Sequence, residues 1–150
     1  MPAKPRKYAL PGFLEGILTQ SAYERWLARK AAAHIKRDRK RGNESETRET
    51  YKMGIHAAVV KSNGLDHYTG EKLNWSLLST YDNEKSKTHG RHYKATFALL
   101  PSLDHVGDGR GPADFTICAW RTNDAKNDLS HDEFVELCRR VIAHHERGQS

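Results

Sequence analysis

The stretch from residue 100 to residue 126 constrains the fold of this chain more than any other part of it. Two apolar runs with strand-like composition, LPSLDHV and FTICAW, are separated there by a loop rich in glycine. β-Branched and aromatic residues favour extended backbone, and a glycine-rich connection allows two strands to turn back on each other. A polar stretch with helical character follows, near Asn123. The order of these segments predicts a strand, a loop, a second strand and then a helix.

Length and composition predict one globular domain. The 150 residues are enough for a hydrophobic core. No apolar run approaches the roughly 20 residues that a transmembrane helix needs, and no apolar signal-peptide core follows the basic N-terminus. The two cysteines, Cys118 and Cys138, each stand in an apolar setting, so we expect buried free thiols, as in a reducing compartment. These features predict a cytoplasmic protein without a membrane partner.

Positive charge is concentrated at the N-terminal end of the chain. Residues 1–41 contain eleven lysines and arginines against three acidic residues, whereas the whole chain carries a net charge of +6, so the remainder is close to neutral. A basic element beside a near-neutral body fits a surface that contacts a phosphate backbone, and a solvated helix face explains the same charge equally well. The candidate backbone contacts in this region are Arg25, Arg29, Lys36 and Lys40.

Helical periodicity predicts two helices before residue 64 and one near the C-terminus. The first is expected to begin at Ser21, which has the capping-box spacing with Glu24, and to end at Gly42. The second is expected over about residues 46–61. The third follows Ser130, another capping-box residue, and carries an apolar stripe. That stripe consists of Phe134, Leu137, Cys138, Val141 and Ile142.

Four side chains of the strand, loop, strand and helix segment have the chemistry of a hydrolytic metal site: Asp104, His105, Asp114 and Asn123. An imidazole, with an ordinary pKa of about 6.5, can accept a proton from water near neutral pH. Carboxylate and amide oxygens suit a hard divalent ion such as Mg²⁺. Adjacent strand residues point to opposite faces, so Asp104 and His105 require a distorted strand end to act together, and the glycines of the following loop would permit that bend.

The combination resembles the ββα-metal motif of the HNH endonuclease superfamily, over about residues 65–143. The resemblance implies that His105 is the general base and that Asp104 and Asn123 ligate a divalent metal, Mg²⁺ or Mn²⁺. Asp114 stands where the motif usually has an asparagine, so its catalytic role stays open between orienting His105 and joining the metal shell. The resemblance also implies phosphate contacts from the helix that follows the second strand, by Arg121 and Lys126.

Many HNH proteins carry a zinc knuckle of four cysteines before the catalytic strand. Residues 65–75 keep a knuckle-like turn around Gly70 but contain no cysteine. A structural Cys₄ zinc is therefore excluded, because two cysteines cannot supply four thiolates.

Together these patterns predict an α+β protein with a ββα-metal, HNH-like centre, N-terminal helices and a C-terminal helix. Residues 1–64 would form a basic helical region and residues 65–150 the HNH-like region, within one compact domain. The expected function is metal-dependent hydrolysis of phosphodiester bonds in DNA. The alternative is a non-catalytic nucleic-acid-binding protein that retains the scaffold. The preference between DNA and RNA, the target sequence and the oligomeric state stay open.

Overall fold

The computed structural model describes residues 6–43, 46–80, 83–106 and 113–149. Within these ranges the protein is α+β, as expected, with six α-helices and a two-stranded antiparallel sheet. The helices are α1 Gln20–Lys40, α2 Arg48–Ser62, α3 Asn83–His89, α4 Arg91–Ala95, α5 Trp120–Lys126 and α6 His131–Gly148. The strands are β1 Pro101–His105 and β2 Phe115–Ala119.

The strands β1 and β2 pair in regular antiparallel register, from Pro101 opposite Ala119 to His105 opposite Phe115. β2 leads directly into α5, and the Trp120 amide donates to the Leu100 carbonyl at 2.8 Å, which fixes the start of α5 beside β1. The predicted order of strand, strand and helix is therefore confirmed. The glycine-rich loop of residues 107–112 lies outside the described residues.

The strand end predicted to bend stays regular through His105, and the Val106 amide still donates to the Asp114 carbonyl at 3.0 Å. Asp104 and His105 therefore point to opposite faces of the hairpin, as the pleat of a strand requires. The prediction of a distorted strand end is therefore wrong for the described residues. The two side chains instead reach one cleft from its two sides.

The helices α1 and α2 pack against each other, and α2 packs against β2. Residues from both expected regions, 1–64 and 65–150, share the resulting hydrophobic core. Its largest contributors include Tyr23, Trp26, Leu27, Tyr51, Ile55, Trp75, Leu103, Phe115 and Ile117.

The first helix begins earlier than expected. Thr19 is the N-cap, and its hydroxyl accepts a hydrogen bond from the Ala22 amide at 3.0 Å. The expected N-cap, Ser21, instead accepts from the Arg25 guanidinium at 2.7 Å within the first turn. Thr19 and Ser21 are both good capping residues, so the sequence does not discriminate between them locally. The tertiary contact of Gln20 with the backbone of residues 8 and 10 selects the earlier start.

Gly54 allows α2 to approach the start of β2 closely. A Cβ atom placed on Gly54 would lie 2.7 Å from the Ala113 carbonyl oxygen, which belongs to the backbone and cannot rotate away. We expect Gly54→Ala to destabilise the fold by about 1–2 kcal/mol, because overpacking outweighs the gain in helix propensity of about 1 kcal/mol. Gly148→Ala in α6, where nothing lies within 4 Å, is the matched control. Chemical denaturation of both variants measures the effect, and an unchanged or higher stability of Gly54→Ala would contradict the expectation.

The C-terminal helix α6 begins at the expected cap. The Ser130 and Glu133 side chains form the predicted capping box. Its first turn packs on the body, where Phe134 contacts Tyr68. Leu137 is 48% exposed and Val141 61% exposed.

The two cysteines are free in the structure, as expected, but only one of them is buried. Cys118 lies within β2, on the face of the hairpin that it shares with Ser102 and Asp104, and its thiol is buried. Cys138 is exposed on α6, so the expectation of a buried thiol there is wrong. The apolar neighbours of Cys138 along the helix are exposed as well, because nothing among the described residues covers that face.

No helix among the described residues combines the length and apolarity needed to cross a bilayer.

Candidate functional site

A cleft of about 800 Å³ opens beside the end of the sheet. Its walls come from the C-terminal half of α1, the turn at residues 67–68, the end of β1, α5 and the start of α6. Ionisable and amide side chains dominate its lining: His34, Arg37, Arg41, His67, Tyr68, Asp104, His105, Asn123, Asp124, Lys126, Asn127, Asp128, His131 and Glu133.

His105 faces α1. Its Nε2 atom lies 3.2 Å from Oδ2 of Asp38 and 3.3 Å from Nδ1 of His34, and its ring packs on Phe115 with the centroids 4.8 Å apart. Burial lowers the pKa of His105, against the opposing effect of the Asp38 carboxylate. The imidazole is therefore neutral at pH 7 and able to accept a proton, as a general base must be.

Asp38 and His34 of α1 lie behind this imidazole, and of the two only His34 lines the cleft. Asp38 is 1% exposed, and its Oδ2 also accepts a hydrogen bond from the hydroxyl of Tyr51 in α2. Burial, with the neighbouring His105 contributing next, lowers the pKa of His34 to about 3, so this ring stays neutral. A buried carboxylate and a neutral imidazole thus meet at one nitrogen of His105.

Asp104 projects from the opposite face of β1, toward α5. Its Oδ2 accepts a hydrogen bond from the Tyr68 hydroxyl at 2.6 Å and lies 3.1 Å from the Lys126 ammonium. Both ends of the ion pair are largely buried, with 7% of the Lys126 side chain and 11% of the Asp104 side chain exposed. Burial, and then the hydrogen bond to Asp104, raise the pKa of Tyr68, so the phenol stays a donor.

Asn123 lies on α5 and lines the same cleft as Asp104. Its amide nitrogen donates to the Ser102 hydroxyl at 3.3 Å. Among the described residues, no hydrogen-bond donor engages Oδ1 of Asn123 or Oδ1 of Asp104. One amide oxygen and one carboxylate oxygen at the cleft therefore keep their acceptor capacity.

These two oxygens fit a hard divalent cation that retains several waters, which is the usual state of protein-bound Mg²⁺. Within residues 6–43, 46–80, 83–106 and 113–149, no three His, Cys, Asp or Glu side chains converge on one point. The protein would thus supply an incomplete shell, with positions left for water and phosphate oxygens. The Lys126 ammonium already neutralises the Asp104 carboxylate, and its positive charge repels a cation bound beside it.

Of Asp114 and the two expected phosphate contacts of α5, Arg121 and Lys126, only Lys126 lines the cleft. Asp114 is exposed just before β2 and does not line the cleft. Arg121 pairs with Glu71 at the surface, also outside the cleft. Lys126 does line the cleft, but as the buried partner of Asp104. A nucleic-acid contact by Arg121 or Lys126 stays a prediction.

No protein-family model, curated protein or solved structure matches this chain. The function of the cleft must therefore be inferred from its own side chains.

The basic residues expected to hold a phosphate backbone lie on the outer face of α1. An α-helix turns by about 100° per residue, which places them opposite the side that carries His34 and Asp38. They are Arg25, Arg29, Lys36 and Lys40, and all four are exposed. Arg29 donates to the Ser79 hydroxyl, away from the cleft. The cleft is lined instead by Arg37 of α1 and by Arg41, the C-cap residue of that helix.

Four functional candidates of α1 and its C-cap were not singled out from the sequence: His34, Arg37, Asp38 and Arg41. Their spacing of i, i+3, i+4 and i+7 places them on one helix face. These titratable residues continue the buried face of an amphipathic helix. Titratable residues in that position indicate that the helix lies beside a functional site. The apolar periodicity of the same helix obscured it.

The knuckle-like turn before β1 is held by a carboxylate. Asp66 is 2% exposed and accepts from the Tyr68 amide at 2.9 Å and from the Thr69 hydroxyl at 3.1 Å. It also accepts from the Thr122 hydroxyl of α5 at 2.6 Å. This network ties the turn to α5 and sets Tyr68 beside Asp104.

Proposed function

We propose that this protein is a metal-dependent endonuclease of the HNH type, which hydrolyses phosphodiester bonds in DNA. The observation that carries the proposal is the cleft itself. A neutral imidazole, His105, enters it from one face of β1, and two oxygen donors, Asp104 and Asn123, enter it from the other. Hydrolysis of a phosphodiester requires both a base for the attacking water and stabilisation of the charge that develops on the phosphate.

His105 would act as the general base, since its neutral ring can take the proton of an attacking water. Asp104 and Asn123 would hold the divalent metal. When bound, that metal would supply Lewis-acid stabilisation of the negative charge that develops on the phosphate. The Tyr68 hydroxyl and the Lys126 ammonium fix the orientation of the Asp104 carboxylate beforehand.

Arg37 and Arg41 are the groups best placed to hold the substrate phosphate. They are exposed on the rim of the cleft, on the same face of α1 as the residues that contact His105. A guanidinium fork binds phosphate oxygens in pairs and is always charged. A phosphate held there lies on the side of the cleft that the base occupies.

Changing both arginines, Arg37→Gln and Arg41→Gln, is expected to weaken binding of duplex DNA and to reduce the slope of log affinity against log salt by up to about 2. Each lost phosphate contact releases about one counterion fewer. Fluorescence anisotropy at several salt concentrations, with Ca²⁺ in place of Mg²⁺ to prevent cleavage, measures the slope. The matched outer-face variant changes Arg29, Lys36 and Lys40 together.

An unchanged slope in the cleft variant would remove Arg37 and Arg41 from the interface. An unchanged slope in the outer-face variant would show that this face is only a solvated surface. A reduced slope in both variants would show that the DNA contact extends around α1.

A non-catalytic nucleic-acid-binding protein is the second candidate, and one observation favours it. The Lys126 ammonium already compensates the Asp104 carboxylate, so the pair is electrostatically complete without a metal. Nicking of supercoiled plasmid in Mg²⁺ or Mn²⁺ separates the two functions. Metal-dependent nicking supports the endonuclease, whereas DNA binding without nicking supports the scaffold. A structured RNA assayed in parallel tests the preference for DNA.

A further inference from the structure

We propose that the cleft binds an unpaired nucleotide strand, with its phosphates on the α1 side and its bases on a cluster of aromatic rings on the other side. The ring cluster consists of His67, Tyr68 and His131, and all three residues line the cleft. The inference rests on the proposed function, because it names the form of nucleic acid that the same cleft would take.

The two sides of the cleft differ in charge. The α1 side contributes Arg37 and Arg41, with no carboxylate among the described residues that line it. The side formed by the end of β1, α5 and the start of α6 contributes one ammonium, that of Lys126, against four carboxylates. These are Asp104, Asp124, Asp128 and Glu133. Lys126 is already paired with Asp104, so this second side repels phosphate.

A double helix carries a phosphate backbone on each of its two strands, whereas the cleft attracts phosphate on one side only. A single strand meets this asymmetry, because its phosphates can follow the arginines while its bases, which are uncharged, turn to the other side. The cleft volume of about 800 Å³ also lies in the range of roughly 300–1,000 Å³ that encloses a small ligand. The cleft is therefore suited to one or two nucleotides outside a base-paired stack.

The ring cluster offers a surface on which such bases can stack. His131 stacks on Tyr68, with the ring centroids 5.3 Å apart and an interplanar angle of 28°, and His67 meets both rings edge-on. His67 and His131 are exposed, whereas the Tyr68 hydroxyl is held by Asp104. Every base has a π-face, so stacking on aromatic side chains needs no particular sequence. A base from the strand would extend the stack that Tyr68 and His131 begin.

A purely structural role for the rings is the competing explanation, since they join the turn at residues 67–68 to the start of α6. Phe134 already makes a packing contact between α6 and Tyr68, and it does not line the cleft. The two imidazoles are exposed at the cleft instead. Their position is the one expected of groups that meet a ligand.

Three variants test the cluster. The double variant His67→Ala with His131→Ala removes both exposed rings. His131→Phe alone keeps a ring at that position. The matched control is the double variant His144→Ala with His145→Ala, which removes two exposed imidazoles from the far end of α6, outside the cleft. Thermal melts accompany every variant.

The first measurement is fluorescence anisotropy in Ca²⁺ with three labelled probes of equal length: a single DNA strand, an abasic strand with the same phosphates, and a duplex. The wild type is expected to bind the single strand about tenfold or more tightly than the abasic strand, and more tightly than the duplex. Removal of both rings is expected to lower the affinity for the single strand by about tenfold or more and to leave that for the abasic strand nearly unchanged. His131→Phe and the control are expected to stay within several-fold of wild type.

Equal wild-type affinity for the single strand and the abasic strand would overturn the base contact without any variant. Tighter binding of the duplex than of the single strand would overturn the preference for unpaired nucleotides. Equal losses for both single-stranded probes in the ring variant would reduce the rings to a structural role.

The second measurement is cleavage in Mg²⁺ or Mn²⁺, which separates this inference from the proposed function. Negative supercoiling favours unpaired segments, so supercoiled plasmid is expected to be nicked faster than the same plasmid after relaxation. Equal rates on the two forms would contradict the inference while leaving the endonuclease in place. If the wild type cuts no nucleic acid, the proposed function fails, and the comparison of the single strand with the abasic strand still decides whether the cleft binds unpaired bases.

Discussion

Replacing His105 with alanine is expected to slow DNA cleavage by about 10²-fold or more while DNA affinity stays nearly unchanged. His34, His67 and His131 also line the cleft, but the proposed base is His105, the imidazole next to Asp104 on β1. Its removal leaves the arginines on the rim in place. Initial rates of plasmid nicking and anisotropy of a labelled duplex measure the two quantities separately.

His89→Ala is the matched control for that experiment. His89 is an exposed residue of α3 that does not line the cleft, so its loss removes an imidazole without touching the site. If His105→Ala cuts plasmid at the wild-type rate under the same metal and pH, His105 is not the base. Equal losses in both histidine variants would point to a general effect of histidine removal.

Neutralising Asp104 is expected to abolish measurable Mn²⁺ binding, because its carboxylate is the charged ligand of the proposed shell. Asp104→Asn is preferable to alanine here, since it keeps the hydrogen-bonding shape beside the buried Lys126 ammonium. Removing one partner of a buried ion pair costs roughly 3–5 kcal/mol, so thermal melts must accompany the titration. Calorimetric titration with Mn²⁺ reports the affinity of each variant.

Asn123→Ala and Asp114→Asn complete the set. Asn123→Ala is expected to weaken Mn²⁺ binding, because it removes the second oxygen donor. Asp114→Asn restores the residue usual in the motif and is expected to leave affinity and activity largely in place, since Asp114 is exposed and outside the cleft. Loss of binding in Asp114→Asn, with Asn123→Ala unaffected, would transfer the second ligand from α5 to residue 114.

The elements that local sequence specifies were the ones predicted well. The β1, β2 and α5 order follows from apolar runs separated by glycine, and the start of α6 follows from the Ser130 capping box, where both partners lie within one turn. The start of α1 was missed, because Thr19 and Ser21 are equally able to cap and a contact from Gln20 decides between them. Exposure was missed at Cys138, since periodicity identifies an apolar face but not what covers it.

The base and the acidic residue of the candidate site were proposed from a short motif, whereas the residues behind the base were not. Asp38 and His34 reach His105 across a long stretch of chain, and only the packing of α1 beside the sheet brings them together. Within α1 they resemble any polar residues on a basic helix. Such contacts are tertiary, so they are visible only once the helix has been placed.

The carboxylate of Asp66 accepts three hydrogen bonds from the chain, two within the turn before β1 and one from Thr122 of α5. A knuckle built on a metal couples its folding to the supply of that metal. Here the hydrogen bonds that hold the turn, Tyr68 and the start of α5 come from the chain itself, so we expect this part of the cleft to assemble in a chelated medium. A divalent ion at the proposed site would then bind to an already folded cleft and would be exchangeable, so the fold would not depend on the supply of that ion.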